Sequence, residues 1–240
     1  MNVEEAEVLL RNYLLSGLAT EIFWADQTYA LTEEIGRHAK QINAANFGEL
    51  FGSLQMLLSE RHTLSIVKIF DPAKQYPTRS IPGTLALLER NAEVWKLSDR
   101  QKLQQVLVEA GSDSARVEGM TGAALTYAIV GYFMRTLPDP KQQSPDNLSL
   151  SLSTLRRSRD KAIAHNEAIE LSELQTSTWG EATLLIDYAK DFVATVGSGY
   201  LGLLFGEGSK DYILSTDARR TSIILRRLLK ATGVAADTSS

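Results

Sequence analysis

At 240 residues, 44% of them apolar and 22% charged, the chain can bury a full hydrophobic core, and it reads as one domain with at most a short appendage. It has no cysteine, which excludes disulfides, thiolate metal sites and cysteine nucleophiles. The formal charge of −4 argues against broad electrostatic capture of nucleic acid and leaves room only for a small local site.

The start, M-N-V-E-E-A-E, lacks the basic flank and apolar centre of a secretory signal. No apolar run approaches the roughly 20 residues that span a bilayer, so a cytoplasmic protein is expected. Along the chain the apolar spacing is helical nearly throughout. Residues 4–43 predict helix, with Gly17 and Gly36 as points of interruption. From Phe47, Leu50, Phe51, Leu54, Leu57, Leu58, Leu64, Val67 and Phe70 keep three-four spacing, and Asp71-Pro72 should stop that helix. P-A-K-Q-Y-P-T-R-S-I-P-G reads as a loop, followed by helices over 84–96 and 99–110. Ser98 and Gln101 have the spacing of a reciprocal capping box for the second of these.

G-S-D-S-A-R-V-E-G reads as a loop, and residues 122–136 as an apolar core helix carrying Tyr127, Tyr132 and Phe133. P-D-P-K-Q-Q-S-P-D-N is a linker. Helices are predicted over 148–170 and, from the capping signature T-W-G-E, to about residue 196. Glycines 197, 199, 202, 206 and 208 should then loosen the chain. A last amphipathic helix over 217–231 should turn Ile223, Ile224, Leu228 and Leu229 inward and Arg219, Arg220, Arg226, Arg227 and Lys230 to water. The expected fold is an all-α bundle forming a single domain over 1–232, with its core at about 4–196, a helical extension over 197–232, and a frayed tail from residue 233.

The reactive side chains concentrate in R-R-S-R-D-K-A-I-A-H-N-E, residues 156–167. Histidine both takes and gives protons near neutrality, arginine offers a permanently charged planar fork to phosphate oxygens, and an aspartate can hold either in place. Together they suit RNA cleavage by its own 2′-hydroxyl, with arginine stabilising charge on the phosphoryl oxygens. Such cleavage wants both an acid and a base, whereas one chain supplies a single histidine here. In a straight helix, moreover, six residues turn about 600°, leaving Arg159 and His165 about 120° apart, while Lys161 lies more directly below His165. A symmetric dimer, with two copies of Arg159 and His165 in one cleft, would ease both problems. Ordinary surface pairing of Arg159 with Asp160, and a capping His165, is the plainer reading of the pattern taken alone.

The segment R-D-K-A-I-A-H-N, residues 159–166, resembles the signature of the HEPN superfamily (higher eukaryote and prokaryote nucleotide-binding domains). That signature is an arginine, a polar residue and, after a short spacer, a histidine. T-L-S-I-V-K-I-F-D with the loop after it, L-R-R-S-R-D-K-A-I-A-H, and T-W-G-E look like the AbiU-type abortive-infection branch. The resemblance implies a helical bundle that dimerises around the motif and acts as a metal-independent ribonuclease in phage defence or toxin–antitoxin control. It implies no cofactor and no metal, and an antitoxin or nucleotidyltransferase as a further partner. It gives Arg159 the scissile phosphate, His165 proton transfer and Asp160 an orienting role. Arg156, Lys161 and Asn166 are candidates for substrate contact. The alternatives are a non-catalytic module binding RNA, nucleotide or a partner protein, and an antitoxin-like or scaffolding bundle with a vestigial motif.

Other features carry less. Glu34 and His38 share a helical face suited to a metal ligand pair, but no second pair accompanies them, and His62 stands alone between Arg61 and Thr63. The glycines from 197 onward follow a helix rather than a strand and precede no Gly-Lys-Ser/Thr, so a phosphate loop is not expected. No Gly-x-Ser-x-Gly elbow is present.

Overall fold

Polar side chains that accept hydrogen bonds from otherwise unpaired N–H groups start most of the helices. The computed structural model describes residues 1–73, 78–139, 146–160, 179–206 and 209–235, which are helical without a strand among the described residues. Asn2 and Glu5 form a reciprocal capping box at the head of α1 (Val3–Tyr13). The chain then passes into a π-helical stretch, Leu14–Ala19, and on into α2 (Thr20–Arg37). Gly17 therefore changes the winding and does not end the helix. A Cβ there would overlap Arg79, so glycine admits the loop before α5 (Ile81–Arg90). Gly36 likewise stays helical; the break comes at His38, before α3 (Ala39–Ala44).

α4 (Gly48–Ile69) ends just before Asp71-Pro72, as the proline predicts. Its buried residues begin only at His62, and Leu50, Leu54, Met56 and Leu57 stand exposed. The first half of α4 meets a small second core through Phe51 and Leu58, not the main one. α5 begins earlier than predicted because Ser80 caps it, accepting from Gly83 N at 3.1 Å, with Pro82 in the first turn. It also stops earlier. Asn91 Nδ2 and Trp95 Nε1 donate to the carbonyls of Leu87 and Leu88 at 2.8 and 3.0 Å, satisfying the last turn.

Asp99, not Ser98, caps α6 (Arg100–Glu109), accepting from Lys102 N at 2.9 Å. The segment expected as a loop before residue 120 holds a short helix, α7 (Ser114–Glu118), capped by Asp113. α8 (Gly122–Thr136) has its predicted bounds and buries Leu125, Ile129, Val130 and Phe133, but Tyr127 is exposed. α9 (Asn147–Ser158) is capped by Asp146. The rest of the helix predicted to residue 170, and Thr178 of the T-W-G-E signature, lie outside the described residues.

α10 (Trp179–Leu201) runs through Gly197 and Gly199, two of the glycines expected to loosen the chain, and gives way to non-helical backbone at Gly202. Neighbouring side chains take the place of theirs: a Cβ on Gly197 would come within 2.6 Å of the Phe205 ring, and one on Gly199 would overlap Leu103. α11 (Ile213–Ala231) starts four residues before the predicted position. α10 packs against α6, α9 and α2, and α2 in turn packs along α4 and α11. The main core fills the space among these helices, with Leu10, Ile22, Ile66, Leu88, Leu125 and Phe192 at its centre.

The predicted inward face of α11 needs correction. Ile223, Ile224 and Leu228 are exposed, and of the four only Leu229 is buried. The cause is Arg226, whose Nε and Nη2 donate to the two carboxylate oxygens of Glu34 at 2.8 and 2.7 Å. Glu34 is 1% exposed, and a buried carboxylate demands such a cation. Ala218, Ser222 and Leu229 consequently face inward, with Gln27 of α2 donating to Thr221 Oγ1 at 2.7 Å. The tail does not fray at residue 233. Val234 and Ala235 are buried beside Ile35, Ile42 and Leu229, and their N–H groups donate to Leu229 O. Residues 236–240 lie outside the described residues.

Gly206 has φ +121°, and a Cβ there would overlap the Asp211 carbonyl. Gly206→Ala should therefore cost about 2 kcal/mol in urea unfolding. Gly36, helical and with open space around it, is the control, and Gly36→Ala should raise stability by up to about 1 kcal/mol.

Candidate functional site

The capped start of α9 sets its rotation, burying Leu152 and Leu155 against the core. Arg156, four residues after Leu152, shares that face and is partly buried. Its Nη2 donates to the carbonyl of Phe70 at 2.7 Å. Phe70 is the residue that caps the C-terminal end of α4, where carbonyls are left without helical partners and a cation is favoured. Burial pulls the Arg156 guanidinium pKa down, and the nearby Asp71 carboxylate opposes the shift. Arg156, expected as a substrate contact, thus clasps two helix ends together.

Helical geometry continues at Arg159 (φ −57°, ψ −52°). The side chain emerges one turn beyond Arg156, on the same corner of the bundle. Its Nε and Nη2 lie 2.7 and 2.6 Å from Asp160 Oδ1, and its Nη1 lies 3.4 Å from Asp71 Oδ1. Arg159 is 29% exposed and Asp160 53%, so both can meet a ligand from solvent. The Arg156 and Arg159 guanidiniums sit among the carboxylates of Asp71, Asp160 and Asp139 here. A guanidinium carries five N–H donors, and among the described residues the contacts of Arg159 engage three.

The structure thus brings Arg159, Asp160 and Arg156 together at the junction of α4 and α9. His165, Lys161 and Asn166 lie outside the described residues. The sequence reading takes Asp71 only as a helix end; its pairing with Arg159 joins residues 88 apart in the chain, with no local pattern to announce it. Glu34 and His38 do approach, at 3.0 Å between Oε1 and Nε2. Glu34 is already committed to Arg226, so this pair belongs to the packing of α11 on α2.

These elements define an all-α protein with an arginine–aspartate corner where two helices end. Among the described residues, no helix is long and apolar enough to cross a membrane. Comparison with protein-family models, curated proteins and solved structures returned no match.

Proposed function

We propose that the chain is a metal-independent endoribonuclease of the HEPN type, acting as a cytoplasmic homodimer in phage defence or toxin–antitoxin control. The observation that supports it most is the Arg159 guanidinium. It is partly exposed and oriented by Asp160 and Asp71, and contacts among the described residues leave two of its N–H donors for a phosphate. In the reaction, one imidazole of two His165 copies takes the proton of the ribose 2′-hydroxyl. The freed oxygen bonds to phosphorus, the bond from phosphorus to the 5′-oxygen breaks, and the second imidazole gives its proton to that leaving oxygen. Arg159 stabilises the charge gathered on the non-bridging oxygens. Purified protein should therefore cut RNA in excess EDTA and leave 2′,3′-cyclic phosphate ends. Intact RNA after prolonged incubation with dimeric protein would remove the proposal.

A non-catalytic module that binds RNA, nucleotide or a partner protein is the second reading. It draws on the crowding of the corner, where Arg156 and Arg159 already hold oxygen partners. Binding without turnover, weakened more by loss of Arg159 than of His165, would favour it.

A further inference from the structure

A second polar cluster lies where α2, α4 and α10 meet, apart from the corner just described. His62 is 4% exposed. Its Nδ1 lies 3.0 Å from the carbonyl of Ala25 and 3.3 Å from Thr28 Oγ1. A carbonyl only accepts, so Nδ1 carries the proton and Nε2 presents a lone pair. That Nε2 is buried and has no hydrogen-bond partner. Burial pulls the ring's pKa down to about 4, which keeps this acceptor neutral at physiological pH. An unmet buried acceptor costs about 1–3 kcal/mol, so the site favours an incoming donor. The ring packs against Trp179, centroid to centroid at 4.8 Å, and lines a cavity of about 220 Å³.

The other walls limit what can enter. Lys190 is buried and neutralised, with Nζ 2.9 Å from Asp26 Oδ1 and 3.7 Å from Asp187 Oδ1. Asp26 also accepts from Ser215 Oγ. Asp187 keeps acceptor capacity for a hydroxyl. At the rim, Lys210 and Arg219 are exposed and have no ion pair among the described residues. One side of the cavity therefore asks for hydroxyl donors and the other for negative charge. Its volume falls below the roughly 300–1,000 Å³ typical of drug-sized ligands, which points to a small metabolite.

We propose that this cavity binds a small hydroxylated anion of the sugar-phosphate class, with hydroxyls on His62 Nε2 and Asp187 and the phosphate on Lys210 and Arg219. The site is independent of the ribonuclease reading, and its test reads binding, not cleavage. Ribose 5-phosphate, glucose 6-phosphate, free glucose and inorganic phosphate would each be titrated calorimetrically into the full chain. A sugar phosphate should bind more tightly than phosphate or glucose alone. In a two-bond ¹H–¹⁵N spectrum, the His62 Nε2 signal should shift as its lone pair accepts a hydrogen bond. The double variant Lys210→Gln/Arg219→Gln, altered only at exposed positions, should bind about tenfold more weakly. His62→Phe, which keeps a ring against Trp179 without Nε2, should lose a similar factor. No heat from any probe at millimolar concentration, phosphate alone binding as well as the sugar phosphates, or undiminished binding in the rim variant would overturn the proposal.

Discussion

Arg159→Ala and His165→Ala should each lower RNA cleavage by at least about a hundredfold, the usual scale for removing a transition-state cation or a proton-transfer group. Arg159→Lys should recover little. An ammonium cannot reproduce the fork that now spans Asp160 and Asp71. Circular dichroism should stay fully helical in all three, since Arg159 is not a core residue and its clasping neighbour Arg156 remains. Asp71→Asn should act more mildly, loosening the guanidinium without removing it. Full cutting in both alanine variants would mean that the corner is not the nuclease centre. Cleavage rate should also rise with the square of protein concentration below the dimer dissociation constant, as a site shared between copies requires.

The largest stability effect expected of a single side chain comes from Arg226. Removing it as Arg226→Ala leaves the Glu34 carboxylate, which is 1% exposed, with only the longer Arg37 contact at 3.4 Å and His38 at 3.0 Å, at a cost of about 3 kcal/mol. Glu34→Gln should cost less, about 1.5 kcal/mol, because Arg226 is 43% exposed and its charge can rehydrate. The two variants also differ in pH dependence. The Arg226 hydrogen bonds hold the Glu34 pKa below its ordinary value of 4.5, although burial pushes the other way. A carboxylate with a depressed folded pKa contributes stability above its unfolded value and loses it as pH falls through the folded one. Urea midpoints of the parent should therefore drop below about pH 4.5, and Glu34→Gln should flatten that part of the curve. Equal losses in the two variants at neutral pH would show that the charge on Glu34 does not matter.

Local signals in the chain account for the elements that came out as read. Pro72 stops α4, and the apolar run from Gly122 to Thr136 with Thr121 as its cap gives α8 its bounds. Where the reading failed, the deciding partner is far away in sequence. The glycines of α10 look like breaks until Phe205 and Leu103 are seen occupying their side-chain space. The outward face of α11 looks correctly assigned until Arg226 is found on Glu34, 192 residues earlier. The first turn of α5 is hidden for a different reason: a proline-rich stretch reads as a loop, yet Ser80 and Pro82 are good helix starters. The site follows the same rule. Arg159 and Asp160 are adjacent and could be read as a pair, while Asp71 and the Phe70 carbonyl enter only through the packing of α9 on α4. His62 reads as an isolated residue, and only its burial with Nε2 unpartnered gives it interest.

The small second core has a consequence for how the molecule opens. It is built from Ile35, Ile42, Leu229, Val234 and Ala235, far fewer apolar groups than surround α10. Amide protons in α3 and the last turn of α11 should exchange with deuterium through brief, partial detachment, while those of α10 wait for the whole molecule to unfold. Arg219 lies in the first half of α11, before the Arg226–Glu34 pair, so release of the final turn should leave both the rim of the His62 cavity and the corner that holds Arg159 in place.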